Sequence, residues 1–461
     1  MSRIDQWIIV GGGASGLASA FFLKLLGLDS VIVERDSTIG GRMGTVRLGD
    51  RVLDCGGKNI GRQYALFRQF AASLGTHPLE HFGLNSSQAV GDRVKTFDGG
   101  ARWRTLAGLV RGLSAKDVIT FGHLLWRVTS DPASGYLGSP CSRTLGERYD
   151  ASPANRYFSR AFCERIIRPM TVRMNGAEPD EIYLGTLTSN VRMLLDTYEQ
   201  FTHGLAPLLN AVHARFDVRL NTAAESLIEE RGRITGVQIR NADGTTSELR
   251  GAGVILATPA SAAAALTAPI VPGLAEQLRA VTYYPVTLVL AEYDRAIFDS
   301  AVRAFVFDGR EALSNAGAYG IDDLNLVRYT FSGRSSRAIA DSTDAEALLG
   351  LAEATLARHV TIDRRWRRRF VAKRFSPGLC AYTPYHGTFI DGVNREAQRV
   401  AGLHVTGDYI QGASIEACFR AASACAHQLV KQERLPAPAS ARLCRVTDTP
   451  TLATCGSRIV A

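Results

Sequence analysis

Residues 7–35 set the terms for the rest of the chain. Trp7-Ile8-Ile9-Val10 is a short apolar run, long enough for one buried strand. Gly11, Gly13 and Gly16 then fit G-x-G-x-x-G, with Ala14 and Ser15 inside the motif. The first glycine permits a tight turn, the second lets the backbone approach a phosphate, and the third lets the next helix pack on the strand. Residues 15–26 read as that helix, with Leu17, Ala20, Phe21 and Leu25 on one face. Its amino end offers free N–H groups and the positive end of the helix dipole. Val31-Ile32-Val33 reads as a second strand ending in Glu34-Arg35. A carboxylate there accepts hydrogen bonds from ribose hydroxyls and disfavours a 2′-phosphate. A glycine-rich turn alone is a weak signal. Strand, helix, second strand and acid in series predict a βαβ unit that binds a dinucleotide.

Two further segments narrow the dinucleotide. Ile39-Gly40-Gly41-Arg42 follows the acidic strand end directly. Glycines there let the chain pass close to a diphosphate, and Arg42 neutralises it. A plain nicotinamide domain has no need of this piece. At the far end, residues 402–426 read GLHVTGDYIQGASIEACFRAASACA, the kind of segment that finishes a flavin site. The chain thus opens and closes on one cofactor, expected to be FAD, with a substrate domain inserted between.

GGGASG, the Glu34-Arg35 strand end, GGRMGT and GDYIQGASIEACFRAASACA resemble the flavin-containing amine oxidase superfamily. Within it the chain is similar to the branch of protoporphyrinogen oxidase and phytoene desaturase, through Gly407-Asp408-Tyr409, Gly412, Cys418 and the Pro-x-Tyr-like segment Ala381–His386. The resemblance covers most of residues 5–433. It implies an α/β (α+β overall) fold, with a Rossmann-like FAD-binding domain of glutathione-reductase type and an inserted mixed α+β substrate domain. It also implies roles. Gly11, Gly13, Ala14, Ser15 and Gly16 would hold the pyrophosphate. Glu34 would take the adenosine ribose, beside Arg35. Gly41 and Arg42 would reach the phosphates, and Gly57 would lie near the flavin. Ala224 would offer backbone groups to adenine, and Thr258 would return the chain to the FAD domain. Gly407 and Asp408 would bind the phosphate or ribityl end. The helix opening at Ser414 and Ile415 would aim its amino end at the flavin pyrimidine ring, where reduced flavin carries negative charge.

Three positions depart from the family pattern. Many amine oxidases carry a lysine on a substrate-domain strand, and alignment of TLVLAEY puts Thr287 there. The usual Gly-Gly before the middle helix reads Thr202-His203-Gly204. Gly56-Gly57-Lys58-Asn59 replaces a Gly-Ala or Gly-Pro expected beside the flavin. Cys380 misses the position of covalent flavin attachment by one residue, so non-covalent FAD is expected. Lys58 and Tyr385 are the catalytic candidates. Lys58 would stabilise reduced flavin, hold a water or bind a substrate anion. Tyr385 and His386, with Tyr382 as an alternative, would wall the cavity or transfer a proton.

With 461 residues the chain has room for two or three domains. The FAD domain is assigned to residues 1–70, 205–285 and 376–434, the substrate domain to 71–204 and 286–375, and a tail to 435–461. Strands are expected at 286–293 and 325–331, a hairpin around Leu227 and Val237, and a helix at 344–358. Hydrophobic content of 46% is that of a soluble globular protein. No apolar run reaches bilayer length. The first strand starts too close to Met1 for a signal peptide, and a cytoplasmic location is expected. The eight cysteines show no C-x-x-C pair, so neither a metal site nor a disulfide framework is expected.

The net charge is +9. Part of it is the run Arg364-Arg365-Trp366-Arg367-Arg368-Arg369, which reads as a solvated strand edge rather than a nucleic-acid contact because it is short. It could also steer an anionic substrate. Residues 106–128 read as a pair of helices over the substrate cavity, the second capped by Ser114, in preference to a membrane-dipping segment. The expected reaction is removal of two electrons from a small organic substrate, forming C=C or C=N, with O2 as the simplest acceptor. An amine oxidase releasing hydrogen peroxide and a non-catalytic flavin-binding partner protein are the alternatives. Assembly into a homo-oligomer stays open.

Overall fold

Chain segments far apart in sequence meet in one parallel sheet. In the computed structural model, which describes residues 5–82, 86–90, 93–97, 113–339 and 343–435, its strand order is Asp217–Arg219, Ser30–Val33, Trp7–Val10, Gly253–Leu256, Leu403–Val405. The three central strands are apolar almost throughout, as a sheet covered on both faces requires. Trp7, Ile9, Ile32 and Ile255 face one core with Phe21, Phe22 and Phe419. These rings come from the helices Ala14–Leu25 and Ile415–Gln432. Ile8, Val10, Val31 and Val254 face a second core with Leu227, Ile234 and Val237. Those residues belong to the antiparallel strands Ala223–Glu230 and Arg233–Arg240, where Leu227 pairs with Val237 as the hairpin reading expects. Residue alternation along each strand thus loads both faces.

A second sheet has seven strands, in the order Arg367–Tyr382, Thr282–Tyr293, Leu326–Phe331, Leu313–Ala318, Ala304–Phe307, Ser86–Val90, Arg93–Phe97. Its outer face carries Val289, Ala291, Tyr293, Val327, Tyr329 and Phe331 against Leu348, Leu349, Ala352 and Leu356 of the helix Ala345–Leu356. Its inward face meets the hairpin Thr45–Leu48 and Arg51–Asp54, where Leu48 and Leu53 pack with Leu290, Tyr319 and Leu326. Strand boundaries differ from the sequence reading by a few residues at most, except that the strand around Leu288 begins at Thr282. One register assignment is corrected. Thr287 pairs with Phe331 and Arg374, which puts it on the outer face. The inward position belongs to Leu288, opposite Thr330 and Lys373.

A third core joins the helices between residues 115 and 195, with Phe121, Phe158, Phe162 and Leu187 at its centre. Ser114 caps the helix Ala115–Thr129, its Oγ accepting from the N–H of Asp117 at 3.4 Å. That helix buries Phe121, Leu124 and Val128 and exposes Ile119 and Trp126. Residues 106–112 and the tail beyond 435 lie outside the described residues. No helix among the described residues is long and apolar enough to cross a membrane. In the arginine run, Arg364 pairs with Glu346, Arg365 with Asp363, Arg367 with Glu346 and Glu353, and Arg369 with Glu292. The six described cysteines are free, and no metal-ligating cluster occurs among the described residues.

Candidate active site

The turn after Trp7–Val10 is shaped by two glycines with opposite surroundings. A Cβ on Gly16 would stand 1.8 Å from the carbonyl oxygen of Gly11, so nothing larger lets the helix sit on the turn. A Cβ on Gly13 would meet nothing nearer than the carbonyl oxygen of Gly40, at 4.0 Å. The protein itself does not require that position to be bare. A ligand approaching the helix Ala14–Leu25 does. That helix has no side-chain cap and no acid in its first turn, so its amino end is left for an anion. Gly57 is equally open, with the carbonyl of Arg42 at 4.0 Å as its nearest neighbour. Gly41, at φ +53°, runs alongside Gly13. These residues fit the pyrophosphate of a dinucleotide.

Glu34 is buried at the end of the second strand. Its carboxylate accepts from the N–H of Gly12 at 2.6 Å and of Asp36 at 2.9 Å, which fixes its orientation. Arg35 is exposed beside Asp36. Ala224 is the second residue of the strand Ala223–Glu230 and pairs with Ile239. Thr258 backs the turn, its methyl 3.3 Å from where a Cβ on Gly11 would lie. Ser15 is buried in the first helical turn.

Arg42 and Asp408, predicted independently, meet. The Arg42 guanidinium lies 2.6 Å from the Asp408 carboxylate and donates to the carbonyl of Gly378 at 3.0 Å. Tyr283 donates its hydroxyl to the other Asp408 oxygen at 2.8 Å. Burial disfavours the Arg42 charge, but Asp408 and Tyr283 outweigh it and raise the pKa. In this structure Arg42 is therefore engaged with Asp408, next to Gly407. Ser414 caps the closing helix, accepting from the N–H of Ala417 at 3.1 Å, and Ile415 is its first residue. The N–H of Ala413 donates to the Tyr382 hydroxyl at 2.7 Å. Tyr382 is buried at φ +66°, a strained setting for a bulky residue. A narrow cleft opens beside it, lined by Tyr64, Tyr136, Ser189, Asp196 and Ser414.

Lys58 is buried, 6% exposed. Its ammonium donates to Gln200 Oε1 at 3.1 Å and to the carbonyl of Tyr319, and lies over the rings of Tyr319 and Phe82. Burial, reinforced by the Arg328 charge, pulls its pKa from 10.5 down to about 7.

Tyr385 needs correction. Its side chain is 41% exposed, and its role is local: it stands before the helix His386–Ala397 while its N–H donates to Asp150 at 3.0 Å. His386 is buried between Thr383 Oγ1 at 3.2 Å and the carbonyl of Tyr409 at 2.9 Å, and burial lowers its pKa to about 4. Both residues fix the scaffold. The aromatic ring of this segment that reaches the closing turn is Tyr382.

Two residues escaped the sequence reading. Arg328 lies on the inward face of Leu326–Phe331, between Leu326 and Thr330. Arg173 projects from the helix Arg168–Asn175, which packs on the same sheet. Neither side chain makes a hydrogen bond or ion pair among the described residues. The available signal was an arginine between Val327 and Tyr329 in a strand otherwise short of charge.

Comparison with known proteins agrees with this architecture. The profile of the flavin containing amine oxidoreductases matches residues 14–430. The flavin-containing amine oxidase B of Canis lupus familiaris is 35% identical over 96 residues, which are 21% of this chain and 18% of that protein. The chain thus matches less than a fifth of that relative's length. Cyclohexylamine oxidase from Brevibacterium oxydans superposes with a TM-score of 0.69 at 16% identity, over 94% of this chain and 100% of the other. A protein from Exiguobacterium provisionally named a protoporphyrinogen oxidase superposes with a TM-score of 0.67 at 17% identity, over 93% and 99%. At such identities these two structures speak for the fold alone. The profile, matched over nine-tenths of the chain, speaks for the family: this chain belongs to the flavin-containing amine oxidoreductases, a family of FAD-dependent oxidoreductases.

Proposed function

We propose that the protein removes two electrons from a small organic substrate and leaves a C=C or C=N bond. The observation that carries this reading is the bare Gly13 before an uncapped helix, with Glu34 pinned beside it. Gly11, Gly13, Ala14, Ser15, Gly16 and Gly41 hold the FAD pyrophosphate, Glu34 the adenosine ribose and Ala224 the adenine. Arg42 and Asp408 act together at the phosphate and ribityl end. FAD, when bound, supplies the two-electron acceptor. The amino end of Ile415–Gln432 stabilises negative charge beside it. Tyr382 walls the site. Lys58, with a pKa of about 7, accepts the proton that the substrate gives up. FAD is held without a covalent bond, and O2 is the final acceptor. Leu288 in the inward strand position, where many amine oxidases carry lysine, weighs toward C–C oxidation. The scattered free cysteines fit a reducing cytoplasm.

The test is the visible spectrum of the purified protein. Two oxidised-flavin bands, released to the supernatant on acid precipitation, are expected, and matched substrates should bleach them. A protein that stays colourless after addition of FAD overturns the reading.

A further inference from the structure

We infer that the substrate is an organic anion, a carboxylate, gripped by Arg328 and Arg173 on the inward face of the seven-stranded sheet. The inference rests on the oxidoreductase reading and names the substrate class of that same site.

Three other arginines drawn into the protein have carboxylates. Arg168 is held by Glu178 at 2.8 Å, Arg367 by Glu346 at 2.9 Å, and Arg42 by Asp408 at 2.6 Å. Arg328 and Arg173 have none among the described residues. Arg328 is half-buried and Arg173 exposed, and a half-buried guanidinium without a counter-ion persists where something else supplies the charge.

The surroundings add positive charge. Lys58 and Arg173 both feel the charge of Arg328, and burial lowers the pKa of all three groups. Lys373 lies on the same inward face, opposite Leu288. Arg303 lies close enough to Lys58 to work against its charge. The carboxylates that could balance these cations are Asp54 and Asp323. Asp323 is taken by Arg51 at 2.9 Å. Asp54 accepts from the N–H of Leu205 at 2.9 Å, and burial raises its pKa, so it is a weak counter-ion. Tyr198, Tyr319 and Cys55 are the remaining titratable neighbours, and burial raises all three of their pKa values. Arg173 is exposed, yet the surrounding protein and the charge of Arg328 lower its pKa.

Two guanidiniums present paired N–H donors in a plane, which matches a carboxylate in a bidentate arrangement. An ammonium substrate meets an excess of cations here. The face therefore selects against the amines that the family name implies.

The experiment uses the FAD-loaded enzyme and two isosteric pairs, benzoate with benzylamine and decanoate with decylamine. Binding is read from the shift of the flavin absorption bands and, independently, by isothermal titration calorimetry. The two acids separate an aromatic from an alkyl carboxylate. At least one acid should bind roughly 100-fold more tightly than its amine. Arg328→Met and Arg173→Met should each weaken that acid by at least about 10-fold with FAD content unchanged. Where one variant fails to fold, the other supplies the same reading. Equal or tighter binding of the amines, no binding of either acid, or acid affinity unmoved in a folded variant overturns the inference. A flavin-free preparation strikes instead at the oxidoreductase reading, and calorimetry on it still decides the anion site.

Discussion

The turn at Gly11–Gly16 and the inward face of the seven-stranded sheet are built on opposite plans. The turn works through the backbone. Its one charged side chain, Glu34, has both oxygens committed to backbone N–H groups. The sheet face works through side chains, and Arg328 and Arg173 stand without counter-ions among the described residues. The first plan depends on conformations that few residue types allow, so it leaves a fixed local signature. The second depends on side chains drawn together from positions 58, 173 and 328, and leaves none. It follows that the turn should fail sharply when a single atom is added, whereas the sheet face should respond to charge and pH.

The largest effects are expected in the turn, and two alanines separate fold from cofactor. Gly16→Ala forces a methyl to 1.8 Å from the Gly11 carbonyl oxygen and should leave little soluble folded protein. Gly13→Ala meets no protein atom closer than 4.0 Å and should melt near the parent temperature. Its FAD affinity should nevertheless fall by roughly 100-fold, because the methyl occupies the approach to the phosphates. Titration of apoprotein with FAD and a circular dichroism melt check both. Parent-like FAD affinity in Gly13→Ala would break the comparison.

Lys58 sharpens the other side. Its folded pKa of about 7 lies below the ordinary 10.5, so between those values the unfolded chain binds more protons than the folded one. The parent should therefore gain stability as pH rises from about 7 to 10.5, and below 7 the full penalty of burying the charge is present. Lys58→Met lacks this titration. Its stability relative to the parent should be highest at neutral pH and decline toward pH 10, as read from urea midpoints. A parallel pH dependence in the two proteins would remove Lys58 as a buried titrating amine.

How much could be read beforehand follows the same division. Glu34, Arg42, Asp408 and Ser414 could be singled out because each sits at a fixed offset from a glycine or a helix start. Even the contact of Arg42 with Asp408 joins two such signatures. Thr287 was misplaced by one residue, and in a strand one residue reverses the face. Tyr385 was preferred to Tyr382, although three residues across a turn separate a surface ring from a buried one. Periodicity cannot resolve that, because both tyrosines have left-handed backbone, one at the end of a strand and the other before a helix. Arg328 was invisible as a functional residue because its meaning depends on which carboxylates are absent nearby in space.

His386 offers a smaller test of the scaffold between these regions. Burial holds its pKa at about 4, against an ordinary 6.5. The unfolded chain therefore takes up a proton first as the pH falls, and stability is lost between about 6.5 and 4. The full loss is on the order of 3 kcal/mol. His386→Phe should flatten the acid limb of the stability profile over that window and leave flavin content intact. An unchanged acid limb would place the acid sensitivity elsewhere.

The smallest effect sets one helix end against another. The helix Ala14–Leu25 has no side-chain cap, whereas Ile415–Gln432 has Ser414, whose Oγ takes the N–H of Ala417 at 3.1 Å. The same helical turn is held a second time. Glu416 accepts from the N–H groups of Leu66 and Phe67, both at 3.1 Å, and so fixes the start of the helix Ala65–Leu74. Ser414→Ala removes one cap from an end held at a second point, so the cost should be the ordinary one for a lost N-cap, about 1 kcal/mol. The melting temperature should drop by about 1–3 °C. FAD affinity should stay within roughly 3-fold, because the cap serves the helix and the dipole persists without it. A loss of affinity that clearly exceeds the loss of stability would mean that the Ser414 hydroxyl itself serves the cofactor. The closing helix would then contribute a side chain where the opening helix contributes only backbone.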